Sequence, residues 1–232
     1  MLKTKLDIRS AINENGFMLV QELFPRSAVS QLLEAFNQSQ FPRSRAGARH
    51  ILSHPAVNSL AVDSRLLNIA QDVLGPAAFP FRATLFDKTA TANWLVVWHQ
   101  DTALPLRERH ETTGWGPWSI KDGVHYAHAP ASALSRVLAL RFHLDQSNAD
   151  NGPLRILPGT HKLGVLTDDA VYDLASKASP VDCHVSAGGV LAMFPLLIHA
   201  SSKSQVPLPR RVIHIEYAAC PSIAAPLELA SA

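Results

Sequence analysis

The first third of the chain carries apolar residues at helical spacing. After Ser27, a residue that can cap a helix, they recur at intervals of three and four as Val29, Leu32, Leu33 and Phe36. The same spacing precedes the stop signal Gly75-Pro76, in Leu66, Leu67, Ala70 and Val73. The pattern predicts one helix beginning near Ser27, another over about 63–74, a helix over about 5–15 that Gly16 ends, and a short strand over 17–20.

After Pro80 the pattern changes to short apolar or alternating runs separated by Gly, Pro, Asn and Asp. Such runs are typical of antiparallel strands, and they predict strands over about 81–86, 94–98, 136–144, 154–157, 181–185, 190–194 and 212–217. Strands of this number and length suit a mainly β, cupin-like jelly roll, with the N-terminal helices buttressing one sheet. We expect a single domain over 1–232, helical over about 1–79 and a jelly roll over about 80–220.

The interval from Thr102 to Ala133 has weak periodicity and is too long for a plain connection in a compact domain. Its content of Trp, Gly, Pro and His indicates a loop that covers a substrate site. Trp115 and Trp118 are its candidate substrate contacts. His125 and His128 belong to the same loop, where a covering or substrate role is favoured over metal binding.

Composition excludes several classes of function. The 232 residues are 47% hydrophobic, and the net charge of +2 gives no basic stripe for nucleic acid. No apolar run reaches the roughly 18 residues of a membrane span, and the segment Met1–Asp7 lacks a signal-peptide core. Cys183 and Cys220 lack the spacing of a zinc site or a disulfide framework. We therefore expect a cytoplasmic protein that acts on a small molecule and binds neither nucleic acid nor membrane.

Candidate metal ligands lie in the segment Trp98–Asp101 and far downstream at His199. On a strand or at its end, the side-chain period of two directs His99 and Asp101 to one face. His199 would complete a set of two imidazoles and a carboxylate, which suits Fe(II) and leaves positions open for a co-substrate and dioxygen. The segment His143–Asp145 has the same His-x-Asp spacing and is the rival pair.

Several segments together carry a family resemblance: Phe86–Lys88, Trp98–Asp101, Asn151–Lys162, and Pro195–Ser202 leading to Arg210-Arg211. In these segments the chain resembles the phytanoyl-CoA dioxygenase family of Fe(II)- and 2-oxoglutarate-dependent oxygenases. The likeness extends over most of the chain. It implies a double-stranded β-helix, which is a jelly roll.

The same resemblance implies roles for individual residues. Iron would be held by His99, Asp101 and His199, and the far carboxylate of 2-oxoglutarate by Arg210. Ser201 would be a second partner of that carboxylate. Related halogenating oxygenases have a small residue at the position of Asp101, so the aspartate indicates hydroxylation or another halide-free oxidation.

Lys88 precedes the metal strand and is a further candidate for contact with the co-substrate. A lysine at a strand end is more often a solvated charge, so both interpretations stand.

Arginine suits the distant carboxylate because its planar fork donates two parallel hydrogen bonds and stays charged. Side-chain alternation places Arg210 and Arg211 on opposite faces, so only one can point inward, and the family spacing favours Arg210. Arg211 is then expected to be solvated. The polar segment 201–209 predicts a turn that joins adjacent antiparallel strands. Fe(II) and one arginine would balance Asp101 and a dianionic keto acid, which makes the assembled site cheaper to bury.

The expected activity is hydroxylation of an unactivated C–H bond in a small molecule, with Fe(II), 2-oxoglutarate and O2 as cofactors and with release of succinate and CO2. Desaturation, cyclisation or epimerisation would need the same ligands. The family name does not establish a CoA thioester as substrate, since pockets change on a shared fold. A non-redox divalent-metal hydrolase and a catalytically silent jelly-roll binding module remain alternatives. The barrel walls are expected to be apolar, and the sequence leaves the oligomeric state open.

Overall fold

The computed structural model describes residues 5–39 and 47–232, and all elements named below lie within those ranges. The helices are α1 (Lys5–Asn15), α2 (Arg26–Asn37), α3 (Pro55–Ala61), α4 (Ser64–Leu74), α5 (Ala131–Leu134) and α6 (Asp168–Lys177). The strands are β1 (Phe17–Val20), β2 (Gly47–Ala48), β3 (Phe79–Lys88), β4 (Val96–His99), β5 (Ala103–Leu106), β6 (Trp118–Lys121), β7 (Val124–His128), β8 (Val137–His143), β9 (Leu154–Ile156), β10 (Val181–Cys183), β11 (Val190–Met193), β12 (His199–Ser201), β13 (Arg210–Ala218), β14 (Ser222–Ala224) and β15 (Leu227–Glu228).

Two antiparallel sheets form the jelly roll. The larger sheet has the strand order β1-β11-β8-β13-β3-β2, and the smaller has the order β10-β9-β12-β4. Apolar residues from both sheets pack between them, namely Ala139, Leu191 and Met193 with Leu154, Ile156, Cys183 and Leu197. The mainly β, jelly-roll prediction is confirmed.

The N-terminal helices cover the outer face of the larger sheet. Strand β13 alternates, so that Ile213, Ile215 and Tyr217 pack against the helices. The helices contribute Ile12, Val29, Phe36, Leu66 and Ile69 to the same cluster. The alternate residues of β13, which are Arg210, Val212, His214 and Glu216, are thereby directed into the space between the sheets.

Helices α1, α2 and α4 were predicted, whereas α3, α5 and α6 were not, and the predicted start of α2 was not correct. Gly16 ends α1 with φ 84°, and Asp63 caps α4 by accepting a hydrogen bond from the Arg65 amide. Helix α2 begins at Arg26 after Pro25, so the prediction that Ser27 caps it is wrong. Proline fits there because the first turn has amide groups without helical partners.

The interval from Thr102 to Ala133 is not the irregular loop that was predicted. Strands β5, β7 and β6 form a three-stranded antiparallel sheet, here called the cover sheet. Trp115 belongs to the hydrophobic cluster beneath it and Trp118 packs against that cluster. Both tryptophans therefore have packing roles, and His125 and His128 lie on β7.

The segment 201–209 was predicted to join neighbouring strands of one sheet, and this is wrong. Strand β12 belongs to the smaller sheet and β13 to the larger, so the connection crosses between layers. The crossing still brings the start of β13 close to the end of β12, with Arg210 Nη2 3.3 Å from Ser201 Oγ.

Within the described ranges, no helix has both the length and the apolar character needed to cross a membrane. Residues 1–4, part of the segment expected to lack a signal-peptide core, lie outside those ranges.

Gly152 lies in the turn before β9, where the neighbouring chain leaves no room for a side chain. Its φ of +66° is a left-handed conformation, and a Cβ there would overlap the Ser202 carbonyl. Gly152→Ala is expected to cost about 1 kcal/mol from the backbone conformation and about 1–3 kcal/mol more from the overlap. Gly123→Ala is the control, because Gly123 has φ +82° and open space around it. Equal losses in urea unfolding for the two variants would contradict the packing argument.

Candidate active site

Paired strands bring the two histidines together. In the β4–β12 pair, His99 lies opposite His199. Asp101 follows β4 by two residues, and its amide donates to the Pro195 carbonyl at 2.9 Å. The side chain of Gln100 donates to the carbonyls of Leu196 and Gly164 at 2.8 and 2.9 Å, which ties the segment between the two ligands to neighbouring loops.

Three donor groups converge at this point. Asp101 carboxylate oxygens lie 3.6 Å from His99 Nε2 and 3.5 Å from His199 Nε2. The two imidazole centroids are 4.2 Å apart, and ligand atoms of all three residues lie within 4.8 Å of one another. The convergence of His99, Asp101 and His199 is the arrangement that their spacing predicted.

Backbone carbonyls fix which ring nitrogen faces the centre. His99 Nδ1 donates to the Val97 carbonyl at 2.9 Å, and His199 Nδ1 donates to the Leu197 carbonyl at 2.8 Å. The proton on Nδ1 leaves Nε2 with a free lone pair in each neutral ring. A carbonyl partner on the other nitrogen is the usual support of a metal-bound histidine.

Charge states also suit a cation. Burial lowers the pKa of His199 to about 3, so this ring is neutral at ordinary pH. Burial opposes ionisation of Asp101, but the adjacent His199 and His99 hold the pKa of its carboxyl well below the usual value. Burial opposes protonation of His99, but the adjacent Asp101 raises the pKa of this ring above its usual value, so a bound metal would displace a proton from it. With that proton displaced, two neutral imidazoles and one carboxylate form a donor set that suits Fe(II) and other divalent transition metals.

The donors fit an ion of that size. Metal–ligand bonds of about 2.1 Å in octahedral geometry set neighbouring ligand atoms about 3 Å apart. The 3.5 and 3.6 Å separations exceed this by only a few tenths of an ångström, which side-chain rotations can close.

A candidate anion clamp lies beside the donors, made of Lys88, Ser201 and Arg210. Lys88 and Arg210 are opposite each other in the β3–β13 pair, and both side chains reach Ser201 from the larger sheet. Lys88 Nζ donates to Ser201 Oγ at 2.8 Å and to the Ser202 carbonyl at 2.5 Å. Arg210 Nε is buried and has no hydrogen-bond partner among the described residues. An incoming carboxylate would satisfy it.

Lys88 is not the solvated charge that a strand-end lysine usually is. Only 1% of the residue is exposed, and its side chain is held inside the barrel. Burial, with Arg210 and Arg141 nearby, lowers the pKa of Lys88 to about 7. The lysine therefore changes charge in the physiological range.

Arg211 is not a solvated charge either. Its Nε and Nη2 donate to the two carboxylate oxygens of Asp145, each at 2.8 Å. As side-chain alternation predicts, only one of the neighbouring residues Arg210 and Arg211 points inward. Asp145 is thereby engaged as an anion, and the rival pair His143–Asp145 does not form part of the three-donor cluster.

The barrel walls were expected to be apolar, and near the site they are not. Four buried polar residues point inward from β8 and β13: Arg141, His143, His214 and Glu216. Of these, only His143 is a candidate from the sequence, as part of the rival pair His143–Asp145. Their signal was present as polar residues at every second position of two otherwise apolar strands.

The protein combines a jelly roll, a three-donor centre and an adjoining candidate anion clamp. This combination is typical of metal-dependent jelly-roll proteins that have a pocket for an anion. The chain belongs to the phytanoyl-CoA dioxygenase (PhyH) family, whose family model matches residues 12–212. Family membership confirms the resemblance drawn from the sequence motifs.

Individual relatives agree with the family assignment. The ectoine dioxygenase of Sphingopyxis alaskensis is 21% identical over 246 residues, covering 90% of this chain and 74% of that protein. The ectoine dioxygenase of Bordetella bronchiseptica is 27% identical over 165 residues, covering 64% of this chain and 46% of that protein.

Solved structures share the fold. EctD from S. alaskensis with 2-oxoglutarate and 5-hydroxyectoine superimposes with a TM-score of 0.69 at 18% identity, covering 90% of this chain and 74% of that one. The non-haem α-ketoglutarate-dependent epimerase SnoN of nogalamycin biosynthesis gives 0.67 at 16% identity, covering 92% and 81%.

Proposed function

We propose that the protein is an Fe(II)- and 2-oxoglutarate-dependent oxygenase that hydroxylates an unactivated C–H bond of a small molecule. The observation that carries the proposal is the buried clamp directly beside the three-donor centre. A metal centre alone would serve several chemistries. The adjoining cations supply what a keto acid with a second carboxylate requires.

Each residue has a defined task in this proposal. His99, Asp101 and His199 bind iron on one side and leave the other side open. Arg210 binds the far carboxylate of 2-oxoglutarate through its guanidinium fork, with Ser201 and Lys88 donating beside it. These contacts fix the length and direction of the keto acid relative to the metal.

Bound iron, with the keto acid and O2, supplies oxidation of a C–H bond to C–OH coupled to conversion of 2-oxoglutarate to succinate and CO2. Asp101 occupies the carboxylate position, which leaves no vacancy for halide and supports a halide-free outcome.

We propose that residues 1–232 work as one dioxygenase domain, helical over about 1–79 and a jelly roll over about 80–220, without nucleic-acid or membrane partners. A cytoplasmic location is supported by Cys183 and Cys220, which are both free thiols.

The test is anaerobic loading with Fe(II) and 2-oxoglutarate followed by oxygen, with succinate release measured against a panel of metabolites. Oxygen-dependent succinate formation that a metabolite stimulates is the expected result. Absence of 2-oxoglutarate binding to the metal-loaded protein would overturn the proposal. A hydrolase with the same three ligands has no use for the clamp, and it would turn over without keto acid or oxygen.

Lys88 gives the proposal a pH signature. Its pKa of about 7 means that the free site loses this positive charge as the pH rises through neutrality. Binding a dianion to neutral Lys88 then requires proton uptake, so the affinity for 2-oxoglutarate should fall above pH 7, by up to about tenfold per pH unit.

The measurement is a 2-oxoglutarate titration of the Ni(II)-loaded protein between pH 6.5 and about 9. Lys88→Met is the matched variant, and it should bind more weakly at pH 6.5 with a flatter pH profile. An unchanged slope in Lys88→Met would assign the pH dependence to another group.

A further inference from the structure

Arg141 is a buried arginine whose role the proposed oxidation does not explain. It lies on β8 opposite His214 of β13, and only 6% of the residue is exposed. Its Nη1 donates to His214 Nδ1 at 3.0 Å, and the guanidinium carbon lies 5.1 Å from the centre of the Phe86 ring. Neither neighbour is an anion. No described carboxylate forms an ion pair with Arg141, although burying an unpaired guanidinium is costly.

The other inward-pointing cations of β3 and β13 are accounted for. Arg82 forms an ion pair with Glu216, and Lys88 and Arg210 meet at Ser201 in the clamp. Arg141 takes part in neither the Arg82–Glu216 ion pair nor the clamp.

Arg141 is close to the metal donors and to the clamp. Its positive charge adds to the effects of burial and of Arg210 in lowering the pKa of Lys88. Burial lowers the pKa of Arg141, and the carboxylate of Asp101 is the negative charge that opposes this effect most strongly. The guanidinium therefore lies within electrostatic reach of both parts of the site.

The sum of the charges in the loaded site shows which cations are balanced by anions. Fe(II), Asp101, a dianionic keto acid and Arg210 sum to zero, and Lys88 of the clamp adds one positive charge when it is protonated. Arg141 adds a positive charge that nothing in this loaded site neutralises. Since a closed site excludes water, an anion delivered with the substrate would remove the cost of this charge.

We propose that Arg141 binds a carboxylate of the molecule that is oxidised, so that the substrate is an organic acid. This rests on the proposed function, and it narrows the substrate from any small molecule to an anionic one. A bidentate contact at Arg141 would hold the acid group inside the barrel and present a nearby C–H bond to the metal.

Cations at the cover sheet agree with an anionic substrate. Lys121 and Arg82 flank the Tyr126 ring, with Lys121 Nζ at 4.7 Å and the Arg82 guanidinium at 5.6 Å from its centre. Because Glu216 balances the charge of Arg82, Lys121 supplies the positive charge at the cover sheet, and such a charge raises the local concentration of anions.

The experiment compares acids with their neutral amides on the Ni(II)- and 2-oxoglutarate-loaded protein, where no turnover occurs. The probes are propionate with propionamide and benzoate with benzamide, titrated by calorimetry and ligand-observed NMR. Native protein should prefer the acid by at least about tenfold in one pair or both. Arg141→Gln should reduce the preference below about twofold, and Arg141→Lys should retain part of it. Arg155→Gln, at a half-buried arginine over Trp98 in the other sheet, should leave it unchanged.

Several outcomes overturn the inference. The first is that native protein shows no preference for the acid in either pair. The second is that the preference survives at full strength in both Arg141→Gln and Arg141→Lys. The third is that the acid is preferred only when 2-oxoglutarate is absent, which would mean that the acid occupies the co-substrate site. The 2-oxoglutarate affinity of Arg141→Gln should stay within about twofold of native. A loss as large as that of Arg210→Gln would make Arg141 a co-substrate ligand instead. Failure of every variant to bind 2-oxoglutarate would count against the proposed function, which keeps the two failures distinguishable.

Discussion

His199→Ala is expected to lower the affinity for Fe(II) by more than about 100-fold and to abolish oxygen-dependent succinate release. Groups that merely orient a metal ligand change affinity by about 10- to 100-fold, so removal of a ligand itself should exceed that range. His199 is the buried member of the three donors and lies on an interior strand of the smaller sheet.

The measurement is anaerobic Fe(II) titration together with succinate release under saturating iron. His110→Ala serves as the control, because His110 is an exposed residue of the segment between β5 and β6. Near-native iron affinity in His199→Ala would remove this residue from the metal site. Parallel losses in both variants would indicate a general effect on folding instead.

Arg210→Gln should weaken 2-oxoglutarate binding by about 2–5 kcal/mol, which corresponds to a factor of about 30 to several thousand. The guanidinium is buried with its Nε unpartnered, so it is arranged for an anion that the protein does not itself provide. Iron binding should be nearly unchanged, because Arg210 is not one of the three donors.

Arg211→Gln is the matched control, since the same chemical change one residue away removes only the contact with Asp145. Titration of 2-oxoglutarate into each Ni(II)-loaded variant separates them. If Arg211→Gln lost the keto acid and Arg210→Gln kept it, the inward-facing residue of the pair would have been assigned wrongly.

The convergence of the three candidate donors could be predicted from the sequence because two simple rules determine their geometry. A separation of two residues at a strand end directs His99 and Asp101 to one side, and antiparallel pairing of β4 with β12 supplies His199. The strands 81–86 and 212–217 were also strongly patterned, and the structure extends both of them at their ends.

The cover sheet and the state of Lys88 could not be obtained in the same way. Strands β5, β6 and β7 have four or five residues each, too few to establish a period between Gly, Pro and Trp residues. Lys88 is buried because β13 pairs with β3 and a crossing connection brings Ser201 to it. These contacts join segments that are far apart in the sequence, so the local pattern of apolar and polar residues does not predict them.

The three candidate metal donors lie at different places in the smaller sheet. His99 ends β4, at the edge of the smaller sheet, and Asp101 follows it, and two residues after Asp101 the chain begins the cover sheet at Ala103. Insertions between β5 and β6 can therefore remodel what approaches the metal while the pairing of β4 with β12 stays intact. A family built this way can diversify its substrates by exchanging one surface segment, and the oxidative centre is inherited without being rebuilt.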